Sequence, residues 1–302
     1  MLAVLAVGCA GEPDSGRRGT GPYEGSGPIR VVCSTGMVGE VVGRVGGDRV
    51  EVTALMGEGV DPHLYKPSPG DILALSRADM IVFSGLHLEG KMGEIFDRLG
   101  RSKPSVPLAD GIAAGSLLET SGGQVDPHVW FDVSLWAEVV DAARDALAGF
   151  DPPYASQYAQ NAEAYRDELI RLDAEVRGQV AAIPESRRLL VTAHDAFGYF
   201  GRAYGIEVQA IQGISTESEA GVHEINALVD LLVERGVPAV FVEASVSDRN
   251  VRALVEGCEA RGHRVRVGGE LFSDSMGPAG TLEGTYVGMV RHNVSTITEA
   301  LR

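Results

Sequence analysis

Residues 154–183 read YASQYAQNAEAYRDELIRLDAEVRGQVAAI, a regular pattern that divides the chain in two. Apolar side chains recur through it at spacings of 3 or 4, which predicts one long amphipathic helix. The helix is expected to begin after Pro152-Pro153 and to end at Pro184. About 30 residues at 1.5 Å each span roughly 45 Å, enough to run the length of a two-lobed body. A coiled-coil segment is the alternative, but the apolar stripe follows a 3.6-residue period and does not hold a heptad.

On either side of this helix, short β-rich runs alternate with amphipathic stretches, which is typical of parallel α/β units. Before it we predict strands at Ile29–Thr35, Val50–Met56, Met80–Ser84 and Val106–Ala109. After it we predict strands at Leu189–Ala193, Val208–Ile211, Ala239–Glu243 and Arg264–Val267. Helices are predicted at Pro69–Arg77, Val133–Leu147, Val222–Arg235 and Arg249–Arg261.

The expected fold is therefore α/β, with two similar lobes, each a parallel sheet flanked by helices, joined by one long backbone helix. The lobes are expected at residues 29–150 and 185–302, and the linking helix at 151–184. A single helix is a stiffer connection than paired loops, so a large hinge closure is not expected.

The composition is typical of a globular protein with two ordinary domains. A hydrophobic content of 44% and a charged content of 23% exclude a disordered or collagen-like chain. The 26 Lys and Arg against 42 Asp and Glu give a net charge of −16. Such an acidic chain repels phosphate backbones, so nucleic acid is not an expected partner.

The first ten residues, MLAVLAVGCA, are too short to span a bilayer and indicate the end of a signal h-region. Ala6-Val7-Gly8-Cys9 resembles a bacterial lipobox, where a lipoprotein is cut and its new N-terminal Cys is acylated. An ordinary apolar N-terminus is the alternative, since Ala6 replaces the usual Leu and no basic n-region precedes the apolar run. Residues 11–28 are rich in Gly, Pro, Ser and charge, which predicts a flexible tether. We therefore assign residues 1–28 to signal and tether, and expect a lipidated Cys9 to anchor the protein outside the cytoplasmic membrane.

Signatures of common catalytic sites are missing from the sequence. It contains no P-loop, no G-x-S-x-G elbow and no C-x-x-C pair. His223-Glu224 opens an H-E pair, but Ala227 stands where a zinc protease needs its second His. Cys33 and Cys258 lie in a predicted strand and a predicted helix of opposite halves, so we expect two buried free thiols, with a disulfide as the alternative.

Four segments place a candidate metal ligand in a turn or near the end of a strand: Asp61-Pro62-His63, Asp126-Pro127-His128, Thr192-Ala193-His194-Asp195 and Gly269-Glu270-Leu271-Phe272-Ser273-Asp274. In open α/β sheets, ligands bind outside the carboxyl ends of the strands. His63, His194 and Asp274 follow predicted strands, and His128 precedes a predicted helix. Three imidazoles and one carboxylate from both lobes are the donor set of a closed first-row transition-metal site in the cleft.

A single His in a loop is more often solvated or hydrogen-bonded to its own protein than bound to a metal. The repeated Asp-Pro-His favours the metal, because a carboxylate and a rigid Pro suit a turn that aims the ring and supplies an acceptor for it. Asp195 is a candidate to orient His194 in the same way, or else to cap the following helix. The remaining histidines are expected outside the site: His87, His223, His263 and His292.

Several stretches resemble, in order, spacing and flanks, the metal-binding solute-binding proteins of bacterial zinc and manganese ABC importers. The likeness rests on GVDPHLY at 59–65, DPHVWFD at 126–132, VTAHDAFGYF at 191–200 and GELFSD at 269–274. GLHLE at 85–89 and GTYVGM at 284–289 add to it. The resemblance runs from about residue 29 to the C-terminus.

This resemblance implies two α/β lobes joined by a backbone helix, with one metal ion between them, bound by His63, His128, His194 and Asp274. It also implies a periplasmic or membrane-anchored carrier, expected to be a monomer, that hands the metal to an integral-membrane ABC permease. Residues 109–125 contain no His, whereas zinc-specialised relatives often carry a His-rich loop there. Manganese-specialised relatives often have Glu in place of His194, so the site resembles the subgroup that accepts both metals.

Three imidazoles and one carboxylate bind Zn²⁺ more tightly than Mn²⁺, so we expect zinc, one ion per chain. Manganese or Fe²⁺ is the main alternative, since Asp274 binding through both oxygens raises the coordination number. A zinc hydrolase is an alternative of another class, although catalytic zinc generally keeps three protein ligands and an open water position. A surface adhesin with a structural metal is the remaining alternative.

Overall fold

A computed structural model describes residues 21–120, 123–218 and 220–302. The signal and lipobox predicted around Cys9 lie outside these residues. In the described part of the chain, no helix has both the length and the apolar character needed to cross a membrane.

The first lobe is built on a four-stranded parallel sheet. Its strands are β1 (Ile29–Thr35), β2 (Val50–Met56), β3 (Met80–Phe83) and β4 (Ser105–Pro107), in the order β2-β1-β3-β4. Its helices are α1 (Gly36–Gly46), α2 (Pro69–Arg77), α3 (Lys91–Leu99) and α4 (Val133–Phe150). Val31 and Cys33 point into one core cluster and Val32 into another, so both faces of the sheet are covered. The last strand ends earlier than predicted, because Ala109 begins a short 3₁₀ turn.

The long helix predicted from residues 154–183 is present as α5 (Ala155–Ala181). Its 27 residues span about 40 Å. It packs against α1 and α4 of the first lobe and against α6 (Gly198–Tyr204) and α9 (Tyr286–Leu301) of the second. The predicted stripe is its buried face: Tyr158, Ala162, Tyr165, Leu169, Leu172, Val176 and Val180.

The second lobe repeats the α/β pattern with a less continuous sheet. Its strands are β5 (Leu189–His194), β6 (Glu207–Gln212), β7 (Ala239–Glu243) and β8 (Arg266–Leu271), and α7 (Val222–Arg235) and α8 (Arg249–Ala260) complete its helices. Strand β5 pairs in parallel with β6, and β7 with β8. Strands β5 and β7 lie side by side, but among the described residues the hydrogen-bonded ladders form two separate pairs.

Strand β8 runs four residues beyond its predicted end at Val267. Two glycines, which usually weaken a strand, allow this extension because the strand passes very close to its neighbours. A Cβ on Gly268 would lie 2.8 Å from the Phe241 ring, and one on Gly269 would lie 2.5 Å from Thr296. Gly269 also has a φ of 150°, which side-chain-bearing residues rarely adopt. Asp274 is therefore three residues past the end of the strand.

The two cysteines of the folded lobes are free. Cys33 is buried in β1, and Cys258 is buried in α8 on the other lobe. This confirms the prediction of free thiols. Burial raises the pKa of both thiols above the ordinary value, so both are protonated at neutral pH.

Candidate metal centre

The structure brings the four predicted ligands together in the cleft between the lobes. One donor atom from each of His63, His128, His194 and Asp274 lies within 4.8 Å of all the others. Nε2 of His128 lies 3.3 Å from Nε2 of His63 and 3.3 Å from Oδ1 of Asp274. Nε2 of His194 lies 3.3 Å from Oδ2 of the same carboxylate. Asp274 is thus the residue that connects the imidazoles of the two lobes.

The cluster is buried, and several of its polar atoms have no hydrogen-bond partner. His128 and His194 are 0% exposed, Asp274 is 1% exposed and His63 is 7% exposed. Nε2 of His194 and both oxygens of Asp274 make no hydrogen bond of good geometry within the protein. Leaving such groups buried without a partner is costly, so atoms of this kind converging on one point indicate a place built for a ligand.

Both Asp-Pro-His segments fold into the same local turn. Oδ1 of Asp61 accepts the backbone N–H of His63 at 2.8 Å, and Oδ1 of Asp126 accepts that of His128 at 2.9 Å. A carboxylate that accepts the N–H two residues later forms an Asx turn, which fixes the backbone of the histidine. The repeated tripeptide is therefore a device that sets the direction of each ring.

The carboxylates of the two turns make different contacts in addition to their backbone hydrogen bonds. Asp126 also lies 2.8 Å from Nδ1 of His128, so it orients the ring as well as the backbone. Asp61 instead accepts the hydroxyl of Thr216, in the second lobe, at 2.5 Å. A further bond joins the N–H of Gly59 to Oγ of Ser275 at 3.0 Å. The loop is thus held to the second lobe at two residues that precede His63, Gly59 and Asp61.

The orienting group of His194 is Glu243, not its sequence neighbour Asp195. Glu243 stands at the end of β7 and lies 2.5 Å from Nδ1 of His194. Its other oxygen accepts the backbone N–H of His194 at 2.9 Å. Sequence reasoning did not identify this role, although Glu243 is an acidic residue at the carboxyl end of a predicted strand, like the ligands themselves. Thr216 was also not identified, and no local pattern marks it.

The pKa values of the three clustered histidines are shifted in different directions. Burial acts to lower the pKa of His128, but the carboxylates of Asp126 and Asp274 outweigh it and raise that pKa to about 9. Burial is outweighed in the same way at His194, where Asp274 and Glu243 raise the pKa well above its ordinary value. At His63 burial prevails and lowers the pKa to about 4. The pKa of Asp274 is well below its usual range, because His194 and His128 outweigh the effect of burial.

Among the described residues, the other four histidines are not members of this cluster. His223 and His87 are exposed. His263 and His292 each place Nε2 near a backbone carbonyl, that of Val237 at 2.8 Å and that of Glu270 at 3.0 Å. In the part of the chain that the structure describes, one group of three or more His, Cys, Asp or Glu residues is arranged to hold a metal ion.

Comparison with known proteins identifies the family of this chain. The family described as “ZnuA: Zinc-uptake complex component A periplasmic” matches residues 31–300. The manganese-binding lipoprotein MntA of Bacillus subtilis (strain 168) is 46% identical over 275 residues, which cover 91% of this chain and 90% of that protein. The zinc-binding protein TroA of Treponema pallidum (strain Nichols) is 48% identical over 271 residues, covering 90% and 88%.

A solved structure of the periplasmic zinc-binding protein TroA of Treponema pallidum has the same fold, with a TM-score of 0.89 over 91% of this chain and 99% of that one. The similarity includes the two lobes and the long connecting helix. The relatives are named for two different metals, so their names do not decide which ion is bound here. The chain belongs to the ZnuA family of metal-binding periplasmic substrate-binding proteins of ABC metal importers.

Proposed function

We propose that this protein captures one divalent transition-metal ion, Zn²⁺ in preference to Mn²⁺, and delivers it to an integral-membrane ABC permease. The ligands are His63, His128, His194 and Asp274. The observation that carries the proposal is the set of buried atoms without partners, Nε2 of His194 and both oxygens of Asp274, within 4.8 Å of the other two rings. A divalent cation bound among them satisfies all of these atoms at once.

The donor set supports zinc as the preferred cargo. Three imidazoles and one carboxylate suit Zn²⁺, and the general affinity order places Zn²⁺ far above Mn²⁺ at such a site. The carboxylates of Asp126 and Glu243 favour a proton on Nδ1 of His128 and His194, which leaves Nε2 as the metal-binding nitrogen. Manganese is the second candidate, because both oxygens of Asp274 face the cluster and a bidentate carboxylate suits a higher coordination number.

A carrier fits the site better than a hydrolase does. Four protein ligands close the coordination of zinc, whereas a catalytic zinc keeps a position open for water. The three innermost ligands are almost fully buried, which restricts the access of an organic substrate to the ion. The chain also belongs to a family of transport proteins. His63, the most exposed ligand, marks the side on which an ion enters and leaves.

We further propose that residues 29–150 and 185–302 act as the two lobes, linked by 151–184, and that the protein works as a monomer outside the cytoplasmic membrane. A lipidated Cys9 and a tether up to residue 28 would hold it close to the permease. The relative MntA of Bacillus subtilis is named a lipoprotein, which supports this arrangement.

Metal analysis of protein purified without added metal tests the proposal directly. We expect about one zinc per chain, and we expect excess Mn²⁺ to displace zinc poorly in a competition titration. In cells, deletion of the gene should lower uptake of radioactive zinc, and the native gene should restore it. A metal-free protein with no measurable affinity for Zn²⁺ or Mn²⁺ would contradict the proposal. Tight binding without any uptake defect would support the adhesin alternative.

A further inference from the structure

Trp130 is a buried residue that contacts both lobes beside the candidate metal centre. It is 1% exposed and lies in the short 3₁₀ turn directly after His128. Its ring meets the His128 ring edge to face, with 5.1 Å between the centroids. Its indole N–H donates to the backbone carbonyl of Ser273 at 3.0 Å. Ser273 is the residue before Asp274, so one side chain links a ligand of the first lobe to a ligand of the second.

Both segments that Trp130 joins are hydrogen-bonded to helix α9 of the second lobe. The hydroxyl of Tyr286, the first residue of α9, donates to the backbone carbonyl of Trp130 at 2.7 Å. Asn293, also on α9, accepts the N–H of Phe272 at 2.9 Å and donates to its carbonyl at 2.7 Å. The segment carrying His128 and the segment carrying Asp274 are therefore both fixed to the same helix, with the indole between them.

We infer that Trp130 is a positioning residue that sets the distance between His128 and Asp274 across the cleft, and thereby slows release of the bound metal. The inference rests on the proposed function. A metal needs both donors at bonding distance at the same time, so an ion leaves when the lobes separate these two residues. The hydrogen bond of the indole N–H must break before they separate, because it joins the residue two positions after His128 to the residue just before Asp274.

The second tryptophan of the chain provides a matched control. Trp136, on α4, is also 1% exposed and stacks on the Tyr286 ring at 5.5 Å. Its indole nitrogen has no hydrogen-bond partner. Replacement of either tryptophan by Phe removes a similar volume of buried ring, but only Trp130→Phe removes a hydrogen bond between the lobes. A difference in the rate of zinc release between the two variants therefore measures the effect of that hydrogen bond.

The experiment measures Zn²⁺ dissociation from each protein by transfer to a chromophoric chelator in stopped flow. We expect Trp130→Phe to release zinc roughly 3- to 10-fold faster than Trp136→Phe, as one buried hydrogen bond predicts, with similar association rates. The visible spectrum of bound Co²⁺ should change in Trp130→Phe alone, because the position of Asp274 around the ion changes. Tyr286→Phe removes the hydrogen bond to the carbonyl of Trp130 and is expected to release zinc faster as well. This variant tests the inference if Trp130→Phe does not fold.

Equal dissociation rates in Trp130→Phe, Trp136→Phe and the unaltered protein, with the same Co²⁺ spectrum, would overturn the inference while leaving the proposed function intact. Failure of the unaltered protein and of Trp136→Phe to bind Zn²⁺ or Co²⁺ at all would instead overturn the proposed function.

Discussion

Glu243 accepts two hydrogen bonds from His194, one from the backbone N–H at 2.9 Å and one from the ring nitrogen Nδ1 at 2.5 Å. The Glu243 oxygen accepts the hydrogen bond from the ring, so Nδ1 is the nitrogen that donates and Nε2 faces the cluster. The hydrogen bond from the backbone N–H of His194 also connects β5 to β7. Among the described residues, these two strands share no hydrogen-bonded ladder. One carboxylate thus fixes both the position of a candidate ligand and the nitrogen that it offers.

Replacement of Glu243 by Gln is expected to lower zinc affinity by about 10- to 100-fold, since one amide oxygen cannot accept both bonds and loss of a group that orients a metal-binding His typically costs this much. Competition titration with a chelator measures the effect. Asp195→Asn is the control, because Asp195 follows His194 in sequence but does not accept its ring proton. A larger loss of zinc affinity in Asp195→Asn than in Glu243→Gln would show that Asp195, and not Glu243, orients His194.

Removal of a proposed ligand is expected to lower affinity by orders of magnitude. We predict this for His63→Ala, His128→Ala, His194→Ala and Asp274→Ala, because each leaves an incomplete coordination shell around the ion. His223→Ala, at an exposed helical position, should bind zinc like the unaltered protein. Isothermal titration should give one ion per chain for the unaltered protein and the control. Comparable losses in all five variants would argue against this ligand set.

Zinc affinity is expected to increase with pH through the neutral range. At pH 7 His128, with a pKa of about 9, and His194, whose pKa is also raised, carry protons that the metal must displace, whereas His63, with a pKa of about 4, does not. Binding should therefore release about two protons at pH 7. Three ordinary histidines with pKa values near 6.5 would give an affinity that levels off above about pH 7.5.

The proton count follows from titration calorimetry in two buffers with different ionisation enthalpies, and the affinity from chelator competition between pH 6 and 9. Release of almost no protons at pH 7, with a constant affinity from pH 7.5 to 9, would contradict this prediction.

Glu89 should make the metal-free protein less stable as the pH rises. It is 2% exposed, and its carboxylate accepts the N–H of Ser84 at 2.6 Å. Burial raises its pKa from 4.5 to about 7. The folded state therefore holds this proton more tightly than the unfolded chain, so the associated stability is present below about pH 4.5 and is lost as the pH passes 7. A shift of this size corresponds to about 3 kcal/mol.

Urea unfolding of the metal-free protein at pH 5 and pH 8 measures this loss. Glu89→Gln cannot ionise, so its stability should fall less between the two pH values than that of the unaltered protein. Glu94→Gln, at an exposed position on α3, should follow the unaltered protein. The same pH dependence in all three proteins would mean that Glu89 does not titrate in this range.

Membrane attachment is expected to depend on Cys9. Expression of Cys9→Ala from its native start should move the protein from the membrane fraction to the soluble fraction, because the acylated side chain is lost. Cys258→Ala keeps the proposed acylation site and should remain with the membrane. A mature N-terminus other than Cys9, determined by mass spectrometry, would count against acylation.

The four proposed ligands could be found in the sequence because each has a local signal. Asp61-Pro62-His63 and Asp126-Pro127-His128 form turns from their own atoms, and the ends of parallel strands meet at one edge of a sheet wherever the strands pair. The long helix was equally clear, since an apolar period of 3.6 residues sustained over so many positions is typical of an amphipathic helix. Strand ends were less certain, as the extension of β8 through Gly268 and Gly269 shows.

The amino-acid sequence by itself determined the α/β class, the linking helix and the identity of the candidate ligands, because these depend on contacts between residues that are close in the chain or on periodic burial. Only the tertiary structure decided that Glu243 and not Asp195 orients His194, that Trp130 joins the two ligand segments, and that His128 and His63 have pKa values shifted in opposite directions. The burial of a side chain and the charges around it depend on residues that come together from distant parts of the chain. A local sequence pattern therefore does not predict them.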